Sequence, residues 1–257
     1  MTPGPTLVYE CPKCEKTVRR ESLRSGNTVG STLFSDGKRI APMLPKFPSI
    51  VKCKECNTFF WLNDENIVGI GHSKNANMAE FLSSDEYFEA IKSKIYCNKD
   101  EEWYLRLNLW WAFNDRTREG KDTFLTEDDK DVYESNCVAL IEMLDKNKRN
   151  EKIIIAELYR NLGKYVECNS ILDTIEEEKY ARFKEISKKE CEKNNRNVVE
   201  ILEEEKEKEK IVMCPMAVYD ELRRKIMKNR RRKYWGNKKR NMLKFLGKLW
   251  RFGRRRG

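Results

Sequence analysis

Histidine is almost missing from this chain: its 257 residues contain one, His72. It stands in the polar stretch GHSKNANMAE with no evident partner and reads as a solvated side chain. No run approaches the roughly eighteen apolar residues that a membrane-crossing helix needs, so none is expected. The opening residues, MTPGPTLVYE, have no basic start followed by an apolar core, so no signal peptide is read there. A phosphate loop is missing as well. Gly26 to Gly30 has neither dinucleotide-type glycine spacing nor a Lys-Ser/Thr ending. Acidic residues stop at Glu221, and from Leu222 to Gly257 there are seventeen Lys and Arg but no Asp or Glu. These absences lead to the expectation of a protein in a reducing, cytoplasmic setting. No constellation of side chains reads as an active site, and no enzyme or small-molecule substrate is expected. The acidic clusters Asp128-Asp129 and Glu176-Glu177-Glu178 read as helix-start and solvated-face charges.

What is present is charge, unevenly placed. The formal net charge is +10, with 52 basic and 42 acidic residues. With seventeen of the basic residues in the last stretch, the first 221 residues hold 35 basic and 42 acidic side chains, a net of −7. The chain is an acidic body with a cationic tail, and the tail sets the sign of the whole.

Nine cysteines are present, and in a reducing compartment they do not read as a disulfide framework. Four are paired by spacing: Cys11 and Cys14 in YECPKCEKTV, Cys53 and Cys56 in IVKCKECNTFF. A Cys-x-x-Cys turn offers two thiolates on one side, and two such turns complete a tetrahedral shell for Zn²⁺. Four protein thiolates leave no open position for water, so the expected role of the ion is structural. The shell carries a formal double negative charge, which Lys13, Lys16, Lys52 and Lys54 beside the ligands would partly offset. An iron–sulfur cluster also takes four cysteines, and spacing alone does not separate the two. A redox Cys-x-x-Cys wants a βαβ setting that is missing here. The CPKC stretch resembles the knuckle of the zinc-ribbon family, and Val8, Val18, Ile50, Val51, Phe59, Phe60 and Trp61 supply its short strands. Glu15 and Asn57 stand where that family often has Gly. The 38 residues between the pairs exceed a compact ribbon, so an insertion is expected. Cys97, Cys137, Cys168 and Cys191 lie in stretches that read as helical and are expected as small buried hydrophobes. Cys214 is a further single cysteine.

The insertion has its own signals. Thr32 to Phe34 and Lys38 to Ile40 flank Ser35-Asp36-Gly37, a hairpin pattern. Pro42, Pro45 and Pro48 then read as an extended arm. Beyond a polar linker, Ser83 to Glu86 reads as a capping box that opens a helix with Tyr87, Ile91 and Ile95 on one face. EEWYLRLNLWWAFND is apolar on nearly every side, as a helix central to a bundle would be. Thr126 with Asp129 caps a third helix, whose Tyr133, Cys137, Leu140, Ile141 and Leu144 share a face. NEKIIIAELYRNLGKYVECNSILDTI resembles a single tetratricopeptide repeat. Ala156 and Tyr159 match its first helix, Gly163 and Tyr165 its turn, and Cys168 and Leu172 the second helix. One such unit cannot bury its own faces, so a helical-hairpin array is implied rather than a regular solenoid. Residues 176–210 are mostly Glu and Lys and read as solvated helix or spacer. In the tail, Met242, Phe245, Leu246, Leu249 and Trp250 form one apolar stripe, with cations around it.

The expected fold is α+β, mostly α, in five parts. A zinc ribbon with a β-hairpin spans 1–70 and a linker spans 71–80. A helical domain like a tetratricopeptide unit spans 81–195, a charged helical spacer 196–221, and a basic amphipathic tail 222–257. In layout this resembles bacterial proteins of no defined activity that join a Cys₄ ribbon to a helical domain. The expected function is that of a non-catalytic zinc-binding adaptor for a protein partner. The alternatives are RNA binding, or peripheral attachment to an anionic membrane, through residues 222–257.

Overall fold

The computed structural model describes residues 1–71 and 76–201. His72, Cys214, the Glu/Lys-rich stretch after Ile201 and the tail 222–257 lie outside the described residues.

The strands come first in the chain. They are β1 (Thr2–Pro3), β2 (Leu7–Glu10), β3 (Thr17–Arg20), β4 (Leu23–Ser25), β5 (Thr32–Phe34), β6 (Arg39–Ile40), β7 (Ile50–Lys52), β8 (Phe59–Trp61), β9 (Ile67–Ile70) and β10 (Asn77–Met78). The helices α1 (Ser84–Lys92), α2 (Lys99–Arg118), α3 (Glu127–Glu142), α4 (Arg149–Asn161), α5 (Tyr165–Asp173) and α6 (Ala181–Glu192) follow, and β11 (Glu200–Ile201) closes the described chain. The fold class is α+β, as the sequence indicates.

Two hairpins carry the cysteine pairs. In one, β2 and β3 are antiparallel with Tyr9 opposite Val18; β9 extends the β2 edge, and β10 lies parallel to β3. In the other, β7 and β8 are antiparallel with Val51 opposite Phe60. The expected Asp-Gly hairpin forms between β5 and β6. Gly37 sits at φ +73°, the left-handed region that glycine enters without a Cβ penalty, and its N–H donates to the Phe34 carbonyl.

The helix ends follow local chemistry. Ser83 Oγ accepts the Glu86 N–H at 3.2 Å while Glu86 Oε2 accepts the Ser83 N–H at 3.0 Å, so the capping box is complete. Thr126 caps α3 through the Asp129 N–H. Between α4 and α5 the chain turns at Gly163, φ +73°, with the Lys164 N–H on the Tyr159 carbonyl and the Gly163 N–H on the Arg160 carbonyl. The helical hairpin is therefore present as read, and it packs onward against α6.

Helix α2 is buried all round, from Trp103 and Tyr104 through Trp110, Trp111 and Phe113. The main core gathers it with α1, α3 and one face of α4. A second core joins the Ile153–Ala156 face of α4 to α5, α6, Leu33 and Ile201. A third lies in the ribbon, around Tyr9, Val18, Val51, Phe60 and Leu62. The β7–β8 hairpin lies between two of these. Ile50, Phe59 and Trp61 belong to the helical core, while Val51 and Phe60 on the opposite face belong to the ribbon core. This is the period-two alternation of a strand with both faces covered.

Three sequence expectations need correction. Cys97 is exposed, in the bend before α2, because Asn98 ends the approach as the N-cap of that helix; Cys137, Cys168 and Cys191 are buried as expected. The stretch 71–80, read as a polar linker, contains β10, whose backbone completes a sheet edge. In 176–210, α6 buries Phe183, Ser187 and Cys191, and 196–201 is extended rather than helical. Asn194 at φ +54° ends α6. Val198 and Ile201 are then buried, and β11 pairs with β5.

Candidate metal centre

Each cysteine pair occupies the turn of its hairpin, and the two turns have the same backbone. The Glu15 N–H donates to the Cys11 carbonyl at 3.0 Å and the Cys11 N–H to the Lys16 carbonyl at 2.9 Å. The Asn57 N–H donates to the Cys53 carbonyl and the Cys53 N–H to the Thr58 carbonyl, both at 2.9 Å. This closure forces the residue after each second cysteine into the left-handed region: Glu15 at φ +62° and Asn57 at φ +57°. Asn tolerates that region because its short amide bonds locally, whereas for most L-residues the left-handed conformation costs about 1–2 kcal/mol. These are the two positions where the ribbon family often carries Gly.

The turns bring all four predicted cysteines together. Their sulfurs lie within 4.8 Å of one another. Cys11 Sγ is 3.6 Å from Cys56 Sγ, and Cys14 Sγ is 3.5 Å from Cys53 Sγ. A tetrahedron with metal–sulfur bonds of about 2.3 Å has edges of about 3.8 Å, so the spacing suits a single ion. Cys11 and Cys53 are fully buried; Cys14 and Cys56 are half-buried at the rim. Among the described residues, no other group of three or more His, Cys, Asp or Glu side chains is gathered this way.

The surroundings favour thiolates unequally. The Thr58 hydroxyl, 3.4 Å away, and the Thr58 N–H bring the Cys56 thiol down to about 6. The Lys16 N–H lowers Cys14, but burial and the neighbouring Cys56, Cys53 and Cys11 sulfurs push it up to about 12. Burial raises Cys11, against the Lys13 and Cys14 N–H groups that stabilise its charged form. Crowded protonated sulfurs of this kind are what a bound cation replaces, since metal binding releases the protons.

The four lysines expected to offset the thiolate charge divide into two pairs. Lys13 and Lys16 are exposed beside the first turn. Lys52 is drawn to Glu89 of α1 at 2.8 Å, and Lys54 to Glu80 at 3.1 Å. The second turn is thereby tied to the helical side of the molecule, and its lysines share their charge with carboxylates.

A second polar cluster was not foreseen from the sequence. The tip of the β5–β6 hairpin, Ser35-Asp36, is buried against the helices. The Asp36 carboxylate accepts from Arg118 and from Asn114 Nδ2, and the Asp36 carbonyl accepts the Trp111 indole N–H at 3.2 Å. Ser35 Oγ donates to Glu157 Oε1 at 2.6 Å, and Glu157 pairs with Arg160, both side chains being fully buried. Arg160 also donates to the carbonyls of Asn195 and Asn197. Burial alone would lower the Arg118 guanidinium; Asp36 and Asp115 more than reverse this and raise it. Every charge here has an opposite partner, so the cluster docks the insertion onto the helices. The one hint in the sequence is that Glu157, Arg160 and Asn161 form a polar stripe inside the otherwise apolar IIIAELYRNL.

Comparison of the chain with protein families, with curated proteins and with solved structures gave no match. The four-cysteine cluster is like that of a zinc ribbon in its ligands and their arrangement, and the chain binds metal there by the chemistry of its donor set. No helix among the described residues is long and apolar enough to cross a membrane.

Proposed function

We propose that Cys11, Cys14, Cys53 and Cys56 hold one structural Zn²⁺ and that the protein is a non-catalytic adaptor. On this reading the ribbon and the helical hairpins, like those of tetratricopeptide repeats, present surfaces to a protein partner in the cytoplasm. The observation that carries it is the closed donor set: four sulfurs at single-ion spacing, with no place for a metal-bound water. Each sulfur of a multi-iron cluster binds its own iron, which calls for wider separations than 3.5 and 3.6 Å. When bound, the ion supplies cross-linking of two hairpins and no reaction chemistry.

Elemental analysis of the purified full chain tests the metal. One zinc per chain is the expected result; iron with visible absorbance, or no metal, overturns it. Affinity capture by the full chain, by Cys11→Ser and by a chain ending at Glu221 tests the adaptor role. Protein partners kept without the tail and lost with the cysteine support it.

The charge distribution favours a second reading, in which the seventeen cations of residues 222–257 meet RNA phosphates or anionic head groups. Salt-sensitive binding to RNA or to anionic vesicles, abolished by removing 222–257 and indifferent to Cys11→Ser, would favour it over the adaptor.

A further inference from the structure

Between the insertion arm and helices α1 and α2 lies an open cavity of about 390 Å³, remote in chemistry from the cysteines. Small-molecule sites run from roughly 300 to 1,000 Å³ and are lined mainly by apolar and aromatic groups with a few polar ones. This cavity has that make-up. Its floor is Tyr87, Trp111 and Ala112, and its mouth is Ile40, Leu44 and Phe81. The mouth residues are 47%, 37% and 46% exposed, a cluster of large apolar side chains left in water beside a preformed hollow. Isolated exposed hydrophobes need no explanation, but a contiguous group around a concavity marks a binding surface.

The charges around the cavity say what fits. Lys38, Arg39 and Lys46 face Asp115 as the only carboxylate in the lining. Lys38 is paired with Asp115, which leaves Arg39 and Lys46 as the excess charge. Lys46 Nζ lies 4.4 Å from the centre of the Trp111 ring, which places a cation directly over the aromatic floor. Such a rim repels the cationic tail of this chain and attracts an anion. The lining contains no Cys, His or Ser, and its one carboxylate is engaged, so nothing here is set to attack a ligand.

We propose that this cavity binds an amphiphilic carboxylate. The apolar chain of the ligand lies against Trp111, Ala112 and Tyr87 and covers Ile40, Leu44 and Phe81. Its carboxylate stays at the mouth with Arg39 and Lys46. The occupant is a small molecule with one long apolar part and one negative end. The site is independent of the metal.

Calorimetric titration of the full chain at physiological salt tests this, with decanoate, decanol and decyltrimethylammonium as probes below their micelle concentrations. Decanoate should saturate a single site, with the cationic analogue weaker by about tenfold or more. Lys46→Glu should weaken decanoate by about tenfold and narrow or reverse that preference. Ala112→Trp should fill the floor and abolish binding. Because a buried insertion can disturb folding, Ile40→Glu at the exposed mouth provides the second variant; it should weaken decanoate with the melting temperature unchanged. The tail is intact in all of these chains. Decanoate binding that all three variants leave unchanged therefore belongs to the tail and overturns the proposal. So does equal binding of the anionic and cationic probes, or no saturable binding at all. Self-association that Ile40→Glu abolishes, without decanoate binding, would make the cavity a contact between copies and likewise overturn it.

Discussion

The turn from Cys11 to Cys14 and the turn from Cys53 to Cys56 close with the same two backbone hydrogen bonds, at 2.9 and 3.0 Å in the first and 2.9 and 2.9 Å in the second. Their surroundings differ. The first turn ends the β2–β3 hairpin, whose buried residues Tyr9 and Val18 reach only the small ribbon core. Lys13 and Lys16 beside it are exposed. The second turn ends the β7–β8 hairpin, which is covered on both faces and held by Lys52 and Lys54 to Glu89 and Glu80. One turn therefore depends on the metal for its place, and the other is placed by packing. The metal attaches the first hairpin to the second, and the second is already part of the helical body.

Removing the metal should separate the two most widely. Structural zinc binding is worth roughly 10–16 kcal/mol in apparent terms. A strong chelator should therefore expose the β2–β3 amides to hydrogen exchange while α2 and β8 keep most of their protection. If α2 loses protection together with β2, the two turns are not mechanically distinct.

Adjacent residues of β8 sharpen the contrast. Phe60→Ala and Trp61→Ala should each cost about 3–5 kcal/mol, but in different places. Phe60 faces the ribbon core, so its loss should speed metal release to a colorimetric chelator. Trp61 stacks near Tyr104, with ring centres 5.5 Å apart, and its indole N–H donates to the Ile95 carbonyl at 3.1 Å. Its loss should lower the helical melting transition seen by circular dichroism. Equal effects of both variants on both readouts would contradict the two-faced hairpin.

The insertion between the turns offers a test of similar size. Arg118→Met strands the buried Asp36 carboxylate, and breaking a buried pair costs about 3–5 kcal/mol. Adding Asp36→Asn should recover a large part of this in a double-mutant cycle on denaturant unfolding. Purely additive losses would show that the pair does not act as one unit.

Smaller effects lie at the turns themselves. Glu15→Gly should stabilise the holo protein by about 1 kcal/mol, because Gly relieves the left-handed strain. Asn57→Gly should change stability by only a few tenths of a kcal/mol, since Asn already tolerates that conformation. Comparison of the two denaturation midpoints checks the pair. Smallest of all, Lys52→Met should cost no more than about 1 kcal/mol, the usual worth of an ion pair this exposed. A larger loss would mean that Lys52 contributes to the metal centre itself.

Much of this arrangement is legible along the chain, because its causes are local. Two Cys-x-x-Cys turns name their own ligands. Asp36-Gly37 marks a hairpin through the conformational freedom of one glycine. Ser83 with Glu86 and Thr126 with Asp129 mark helix starts through side chains that reach backbone groups three residues away. Trp103 to Phe113 marks a central helix, because apolar residues occur on every face. The misreadings share a cause as well. Asn77-Met78 and Glu200-Ile201 look like solvated chain, and become strands only because β3 and β5 offer them free edges.

The amino-acid sequence by itself determined the metal ligands, the hairpin turns, the helix boundaries and the acidic-body, basic-tail division, since each rests on chemistry within a few residues. Tertiary structure alone decided that Asp36, in an ordinary turn motif, is buried against Arg118, and that Ser35 meets Glu157 across 122 positions of sequence. It alone decided which face of β8 meets which core. Burial is a property of what lies opposite, and a charged side chain leaves water only when a distant partner is already in place to receive it.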